Sequence, residues 1–369
     1  MSSRFIRRRT VLGMMAAPAA ALTLGACGGS DSDGSPGKPP KGKVSVAFGL
    51  TLGNSSNPFA WIGKYLGYFD EENIDPDVIS LNGDSARGSA MLTTGQLDVG
   101  IFGLEQVLRT AADGRPIKAR AVYNVQSRSQ YEGVVVSNSP VNQLTDLKGK
   151  KIGIPQLDGT LQTYVNATLA SGGLSDPGIS FLATGVGVPM GEALKKGQVD
   201  AAFATRGQLG TLLSGGYNLR FLPRPAFAEN FITGNIVARS DLSADKVQAL
   251  KGYLRAYTKA IVFSKANPQA AMLINWKMYP DAVPKNVPVE QALAAAVDVY
   301  KAYLDYITVR DGKWGYMPPD LMENYVDFLG LKGKVDVKQW YTNDYIDFVN
   351  DFDQQAITDQ AKNYKAPSP

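Results

Sequence analysis

The sequence contains no histidine and only one cysteine among its 369 residues. Without imidazole there is no Ser-His-Asp triad, no histidine general base and no zinc site of the His-Glu-x-x-His type. A single cysteine forms neither an intramolecular disulfide nor a thiolate cage for a metal. Most familiar hydrolase chemistry is thereby excluded, and we expect no catalytic residue, no metal ion and no cofactor.

The chain also lacks an excess of charge once its first 26 residues are set aside. It has 38 Lys and Arg against 34 Asp and Glu, but Arg4, Arg7, Arg8 and Arg9 all stand in a first stretch without acids. The remainder is balanced, so it offers no basic footprint for nucleic acid or for a polybasic membrane contact. With 44% hydrophobic residues, its length and composition fit a folded protein of two lobes.

Residues 1–26 have the organisation of a signal peptide. Three arginines at 7–9 precede an apolar run at 11–26, which is too short for a comfortable bilayer span and contains a central proline. Residues 8–12 (RRTVL) resemble the twin-arginine export pattern, although basic starts are ordinary in general secretion too. Residues 24–27 (LGAC) resemble the bacterial lipobox, and the only cysteine stands where that pathway needs a thiol. We therefore predict lipidation at Cys27 and anchoring to the outer face of a bacterial cell membrane.

The segment 27–42 is predicted to be the lipidated N-terminus of the mature chain followed by a flexible tether. Residues 28–42 (GGSDSDGSPGKPPKG) contain no large apolar side chain that would join a core. The run DSDG at 31–34 resembles the start of a calcium loop, but the later ligands are missing. A solvated linker is therefore the prediction.

From residue 43 onwards, short β-branched runs alternate with helical segments in two similar series. Each series predicts a βαβαβ unit, and hence a parallel sheet with right-handed crossovers. Strands are predicted at 44–50, 77–81 and 98–102 with helices at 58–65 and 85–94, and then strands at 151–155, 179–182 and 200–204 with helices at 161–171 and 188–196.

An internal repeat supports two similar lobes. The segment MLTTGQLDVG at 91–100 matches ALKKGQVDAA at 193–202. In both, a helix is predicted to end at a glycine (Gly95 or Gly197) that takes the left-handed conformation, and Gln-x-Asp leads into a buried strand.

Two further stretches predict that the chain crosses between the lobes twice. A strand-like run at 132–137 leads into the second series, and a proline-rich passage at 223–230 leads to another apolar run at 235–238. Two crossings form a hinge, which suits closure around a ligand. We predict one lobe from 43–134 plus 235–369, including C-terminal helices, and a second from 135–234.

The C-terminal third has helical spacing and many aromatic residues, which are expected to form a packed helical face. Helices are predicted at 243–266, 289–307, 319–329 and 337–352, and the aromatic residues are Tyr253, Tyr257, Phe263, Tyr300, Tyr303 and Tyr306.

Four segments together resemble the solute-binding lipoproteins of ABC importers, in the branch that includes taurine-, alkanesulfonate-, nitrate- and thiamine-pyrimidine-precursor-binding proteins. They are GYFDEENI at 67–74, GQLDVG at 95–100, DLKGKKIG at 146–153 and GQVDA at 197–201. The resemblance covers about 44–268. It implies a type II periplasmic-binding-protein fold of two α/β lobes, each a mostly parallel sheet flanked by helices. It also implies a cleft for a small solute and a membrane permease as partner, and we expect a monomer.

A ligand is expected at the carboxyl ends of the strands, where helices begin and present unpaired N–H groups. That rule selects three loops per lobe, at 51–57, 83–87 and 103–106, and at 156–162, 184–190 and 205–208. The candidate ligand-binding residues in these loops are Thr51, Asn54, Asn57, Asp84, Ser85, Glu105, Asp158, Thr160 and Arg206. Asp84 or Ser85 would equally cap the helix that begins there, and Asp158 would equally form a turn.

The charges of these loops leave the solute open. Asp84, Glu105 and Asp158 face Arg87 and Arg206, an excess of acid. A bare inorganic anion usually meets an excess of base, although main-chain dipoles alone bind anions. A zwitterion, a neutral heterocycle or an aromatic compound fits at least as well. Several aromatic residues lie near the loops, and most are expected in the core: Phe59, Trp61, Phe102, Tyr164 and Phe203.

Two alternatives to transport remain. Ser243 and Lys246 match the Ser-x-x-Lys pattern of acylating serine enzymes, but the partner motifs are missing and Ser243 stands where a helix begins. We therefore predict a helix cap and no enzyme. The second alternative is a solute-sensing lipoprotein that signals to a receptor.

Overall fold

The computed structural model describes residues 41–48, 58–81, 85–157, 160–174, 178–284 and 287–367. The predicted signal peptide, Cys27 and nearly all of the tether lie outside the described residues. The described residues form ten strands: β1 Gly42–Phe48, β2 Ile74–Ser80, β3 Val99–Phe102, β4 Ala119–Gln126, β5 Tyr131–Val136, β6 Lys151–Ile154, β7 Ser180–Ala183, β8 Ala201–Thr205, β9 Leu219–Phe221 and β10 Gly234–Arg239.

Thirteen α-helices accompany these strands in the described part of the chain. They are α1 Phe59–Tyr65, α2 Tyr68–Glu71, α3 Ser85–Thr93, α4 Glu105–Ala112, α5 Thr160–Ser171, α6 Val188–Lys195, α7 Arg206–Ser214, α8 Ala244–Ala266, α9 Pro268–Met278, α10 Val289–Leu304, α11 Pro319–Phe328, α12 Ile346–Asn350 and α13 Gln354–Lys362. Within the same residues, no helix is both long enough and apolar enough to cross a bilayer.

The strands form two five-stranded sheets with the same layout. The first has the order β2-β1-β3-β10-β4 and the second the order β7-β6-β8-β5-β9. In each, three neighbouring strands are parallel, and the fourth is antiparallel to both strands beside it. The predicted α/β fold with two mostly parallel sheets and additional C-terminal helices is confirmed.

The repeated Gln-x-Asp segment has the same role in both sheets. Asp98 Oδ2 accepts the main-chain N–H of Ser45 in β1 at 2.9 Å, and Asp200 Oδ2 accepts the N–H of Lys151 in β6 at 2.9 Å. The glycines before them, Gly95 and Gly197, have φ of +76° and +65°, as predicted. Each aspartate thereby fastens the strand that follows it, β3 or β8, to the neighbouring parallel strand, β1 or β6.

The chain passes from the first sheet to the second between β4 and β5, and returns between β9 and β10. The predicted boundary between residues 134 and 135 falls inside β5, which pairs with β8 and β9 of the second sheet. The change of sheet therefore occurs at 127–130, a few residues earlier. The division into two lobes stays a prediction.

The C-terminal helices pack against the first sheet through the aromatic residues that the sequence indicates. Tyr253, Tyr257, Tyr300 and Tyr303 are at most 2% exposed. Phe59 of α1 meets the Tyr257 ring edge-on at 5.3 Å between centroids. This packed aromatic face is confirmed, and Ser243 caps α8 by accepting the N–H of Lys246.

The predicted helix at 337–352 is wrong over most of its length. A short 3₁₀ turn at Val337–Gln339 is followed by non-helical chain, and α12 covers only Ile346–Asn350. Hydrogen bonds to a distant strand prevent a continuous helix here. The Trp340 carbonyl accepts the N–H of Ala121 at 2.8 Å, and the Thr342 N–H donates to the Ala121 carbonyl at 2.9 Å. The segment thus pairs with β4, the outermost strand of the first sheet.

Candidate functional site

Four of the nine predicted ligand-binding residues each begin a helix that follows a strand. Ser85 begins α3 after β2, Glu105 begins α4 after β3, Thr160 begins α5 after β6 and Arg206 begins α7 after β8. These are the carboxyl ends of parallel strands, which is where the ligand rule expects them. The other five lie outside the described residues: Thr51, Asn54, Asn57, Asp84 and Asp158.

Glu105 is a buried carboxylate with an internal partner. Its residue is 4% exposed, and its Oε1 accepts the Arg109 Nε–H one turn later at 2.7 Å. A negative charge in the first turn of a helix is favourable. Burial raises the pKa of the neighbouring Tyr131 and Tyr325, and the Glu105 charge raises both further. One oxygen of the Glu105 carboxylate is therefore already bound by a side chain of the protein.

Arg206 also has partners within the chain. Its Nη1 donates to Glu132 Oε2 at 2.8 Å, and its guanidinium lies over the Phe221 ring, 3.9 Å from the centroid. Its main-chain N–H donates to the Gln130 carbonyl at 2.7 Å.

The N-terminus of α7 is further closed by a capping box. The Gln208 N–H donates to Thr205 Oγ1 at 3.3 Å, and the Thr205 N–H donates to Gln208 Oε1 at 3.1 Å. Together with the Arg206 amide, this satisfies N–H groups that would otherwise be open to an anion.

Glu132, on β5, lies near the carboxyl end of β8 and was not predicted from the sequence. It is 7% exposed. Its carboxylate accepts hydrogen bonds from Arg206, from Arg224 Nη1 at 2.9 Å, and from the Tyr306 hydroxyl. Burial raises the pKa of Tyr306, and the Glu132 charge adds to the effect. A lone acid inside the apolar strand Tyr131–Val136 is the signal that would have found it.

Arg224, which contacts Glu132, also holds the two crossings together. Arg224 Nη2 donates to the Ser129 carbonyl at 3.0 Å, and its guanidinium also pairs with Glu229. Arg128 Nε donates to Glu229 Oε2 at 2.6 Å. Burial opposes ionisation of Glu229, but Arg128 and Arg224 outweigh it and hold the pKa of that carboxyl below its usual range. The crossings are thus joined by alternating charges.

An aromatic cluster joins α5 of the second sheet to β5 and to the crossing that returns to the first sheet. The Tyr164 ring lies 5.2 Å from Tyr131, 5.4 Å from Phe227 and 5.5 Å from Phe231. Tyr164 is 1% exposed, so it belongs to the core, as expected. Phe59, Trp61 and Phe203 are likewise buried, and the Phe102 side chain lies outside the described residues.

A pair of buried amide side chains lies at the carboxyl end of β3, and the sequence reasoning missed it too. Asn235 of β10 is opposite Phe102 and fully buried. Its Oδ1 accepts a hydrogen bond from Asn124 Nδ2 at 3.1 Å. Its own Nδ2 has no acceptor among the described residues.

Exposed apolar side chains mark the same end of the second sheet. Ile154 of β6 pairs with Ala183 of β7, so Leu157 and Val186, each three residues further on, follow the strand ends in matching places. They are 46% and 48% exposed, and Val188 at the start of α6 is 66% exposed. Large exposed apolar residues that gather in one place favour contact with another molecule. The described residues contain no group of side chains suited to hold a metal ion.

Comparison with known sequences places these features in a family. The NMT1/THI5-like family matches residues 58–271, more than half of the chain. The riboflavin-binding protein RibY of Chloroflexus aurantiacus is 23% identical over 294 residues, which cover 78% of this chain and 81% of that protein. A putative thiamine biosynthesis protein of Haemophilus influenzae is 25% identical over 260 residues, 68% of this chain and 77% of that protein.

Solved structures share the fold. The periplasmic aliphatic sulphonate-binding protein SsuA of Escherichia coli superposes with a TM-score of 0.63 at 15% identity, over 81% of this chain and 91% of that chain. The periplasmic nitrate-binding protein NrtA of Synechocystis has a TM-score of 0.58 at 13% identity, over 83% and 87%. At these identities the likeness concerns the fold alone.

Proposed function

The chain belongs to the NMT1/THI5-like family, and on that premise we propose that it is the solute-binding lipoprotein of an ABC importer. The observation that carries the proposal is the arrangement of two similar α/β sheets joined by two crossings, with polar residues beginning the helices at the carboxyl ends of the strands. Such an arrangement suits capture of a small molecule by closure of two lobes.

The solute would lie between the lobes, held by several converging hydrogen bonds. The residues proposed to bind it are Thr51, Asn54, Asn57, Asp84, Ser85, Glu105, Asp158, Thr160 and Arg206. The exposed Leu157, Val186 and Val188 favour an organic solute over a bare inorganic ion. Closure would present a shaped surface to the permease. We assign the chain no catalytic activity, since it has no histidine and its Ser-x-x-Lys serine caps α8.

A thermal-shift screen tests the proposal directly. The purified protein would be heated with nitrate, taurine, alkanesulfonates, pyrimidines, riboflavin and aromatic acids, because a molecule that binds only the folded state raises Tm. Uptake of the molecule found would then be compared in the parent strain and a deletion strain. Normal uptake in the deletion strain would favour the sensing alternative, and a screen without any stabilising molecule would speak against solute binding.

Alanine substitutions test the predicted site. Asn54→Ala, Asn57→Ala, Ser85→Ala and Thr160→Ala should each weaken solute affinity by about 1–3 kcal/mol, roughly tenfold to a hundredfold in Kd, as measured by calorimetry. Asp98→Ala is the matched control. It lies at the opposite end of the first sheet and should cost stability while leaving Kd unchanged. If the four variants bound like the parent while Asp98→Ala lost affinity without losing stability, the site would lie at the opposite end of the sheets from the one proposed.

Lipidation at Cys27 has its own test. Cys27→Ser should abolish membrane retention after export while leaving the fold unchanged, because the lipobox pathway modifies that thiol. Cell fractionation and circular dichroism of the variant measure the two effects. Retention equal to that of the parent would exclude a lipid anchor at this residue.

A further inference from the structure

If the carboxyl ends of the two sheets hold a solute, as proposed above, the charge of that solute must match the charges that the protein leaves unpaired there. Arg206 and Arg224 are the cations of the second sheet's carboxyl end that contact Glu132. Their side chains are 28% and 25% exposed, so solvent and small ions reach them. The Glu132 carboxylate is 8% exposed and lies between them.

Glu132 occupies these two guanidinium groups as an anion would. Its Oε2 accepts from Arg206 at 2.8 Å and its Oε1 from Arg224 at 2.9 Å. The Tyr306 hydroxyl donates to the same Oε1. Three donors around one carboxylate are the environment that a bound oxyanion needs, supplied here by the chain itself.

Two further arginines, Arg128 of the first crossing and Arg310 after α10, also have partners in the crossings. Arg128 pairs with Glu229. Arg310 Nη2 donates to the carbonyls of Ser127 and Glu229, each at 3.0 Å.

Three of the helix N-termini described at this end are likewise partly closed to an anion. In α7, the amides of Arg206 and Gln208 have acceptors within the chain. In α4, the first turn already holds the Glu105 carboxylate, paired with Arg109. In α6, Pro189 in the first turn has no N–H to donate.

We propose that Glu132 is a specificity-determining residue that acts as the internal counter-ion of Arg206 and Arg224. The cleft thereby takes a solute without net negative charge and rejects small oxyanions. This rests on the proposed solute-binding function and narrows its solute class. A small anion that entered would have to compete with a carboxylate that is covalently part of the site and already desolvated.

The test compares the parent with Glu132→Gln, which keeps the shape of the side chain and removes its charge. Nitrate and methanesulfonate are the probes, each measured against chloride at equal ionic strength. We expect neither probe to raise the Tm of the parent beyond chloride. Each should raise the Tm of E132Q by about 2 °C or more, because among the described residues Arg206 then lacks a counter-ion and Arg224 keeps only Glu229. The double variant E132Q with Arg206→Gln is the control and should lose most of this gain.

Two results would overturn the inference. One is submillimolar binding of nitrate or methanesulfonate to the parent in calorimetry, a measurement that holds even if E132Q fails to fold. The other is a folded E132Q variant that gains no anion response. Either result leaves solute binding as such intact. Conversely, a screen without any stabilising molecule would contradict the proposed function, while an anion response confined to E132Q would still support the role of Glu132.

Discussion

Asp98 and Asp200 occupy equivalent places in the two sheets but differ in exposure. The Asp98 side chain is 10% exposed and also pairs with Lys246 at 2.7 Å, whereas Asp200 is 39% exposed. Asp98→Ala should therefore lower the free energy of unfolding by about 1–3 kcal/mol, and Asp200→Ala by less than about 1 kcal/mol. Urea unfolding measures both. Equal losses would mean that burial does not set the strength of these two contacts.

Gly315 illustrates a position where no side chain fits. Its φ is +80°, and a Cβ atom there would lie 2.2 Å from the Tyr123 ring. Tyr123 is 1% exposed and has no room to move aside. We expect Gly315→Ala to cost about 2–4 kcal/mol of stability in urea unfolding.

The matched control for this prediction is Gly312→Ala. Gly312 has a similar φ of +71°, but a Cβ atom added there would have no neighbour within 4 Å among the described residues. Only the backbone strain remains, about 1–2 kcal/mol. A loss at Gly315 no larger than at Gly312 would show that the ring accommodates the methyl group.

At the scale of elements, α7 and α10 meet at a glycine. A Cβ atom on Gly210 would lie 2.7 Å from Val299 Cγ2 of α10, a short branched side chain with little freedom. Gly210→Ala should destabilise the protein by about 1–3 kcal/mol, and Val299→Ala in the same chain should restore part of that loss. A double-mutant cycle in urea measures the coupling. Purely additive effects would mean that the helices separate freely at this contact.

Element types were largely predictable where periodicity is local, and side-chain partners were not. The strands of both βαβαβ units lie within a few residues of their predicted places. Turns and buried runs depend on residues that are adjacent in the sequence, so the local pattern predicts them. The segment at 340–342 pairs with β4 instead of forming a helix, which depends on residues more than 200 positions away.

At the candidate site, too, partners that are distant in the sequence could not be predicted. The ligand rule places Glu105, Thr160 and Arg206 at helix starts, as found. It did not identify Glu132, because Arg206 and Glu132 are 74 residues apart and meet only through the pairing of β5 with β8. A charge count within the loops therefore omits the carboxylate that pairs with Arg206.

At the scale of the whole molecule, buried tyrosines predict the response to alkaline pH. Burial raises the pKa of Tyr279 to about 12, and it raises the pKa of Tyr123, Tyr253, Tyr257 and Tyr300 further. The folded pKa exceeds the unfolded value of about 10, so this stability is fully present below about pH 10 and is lost as the pH rises above it.

Absorbance of tyrosinate at about 295 nm, recorded together with circular dichroism, measures this effect. We expect exposed tyrosines to ionise first and the buried ones only as the fold is lost. Ionisation of all 17 tyrosines near pH 10 with an unchanged dichroism spectrum would contradict the prediction.

The two crossings predict a change of shape on binding. With a solute from the screen at saturation, small-angle scattering should show a smaller radius of gyration, because closure brings the lobes together. A related molecule that gives no thermal shift serves as the control. An unchanged scattering profile at saturation would indicate a rigid site.

The place of β10 between β3 and β4 has a consequence for the order in which the sheets form. All five strands of the second sheet lie within 131–221, whereas the first sheet lacks an inner strand until residues 234–239 have been made. During synthesis the second sheet is therefore complete while β3 and β4 still present unpaired edges, which are the part of a nascent chain most prone to wrong pairing. We expect hydrogen exchange on a chain that stops short of β10 to protect β6 and β8 more strongly than β3 and β4.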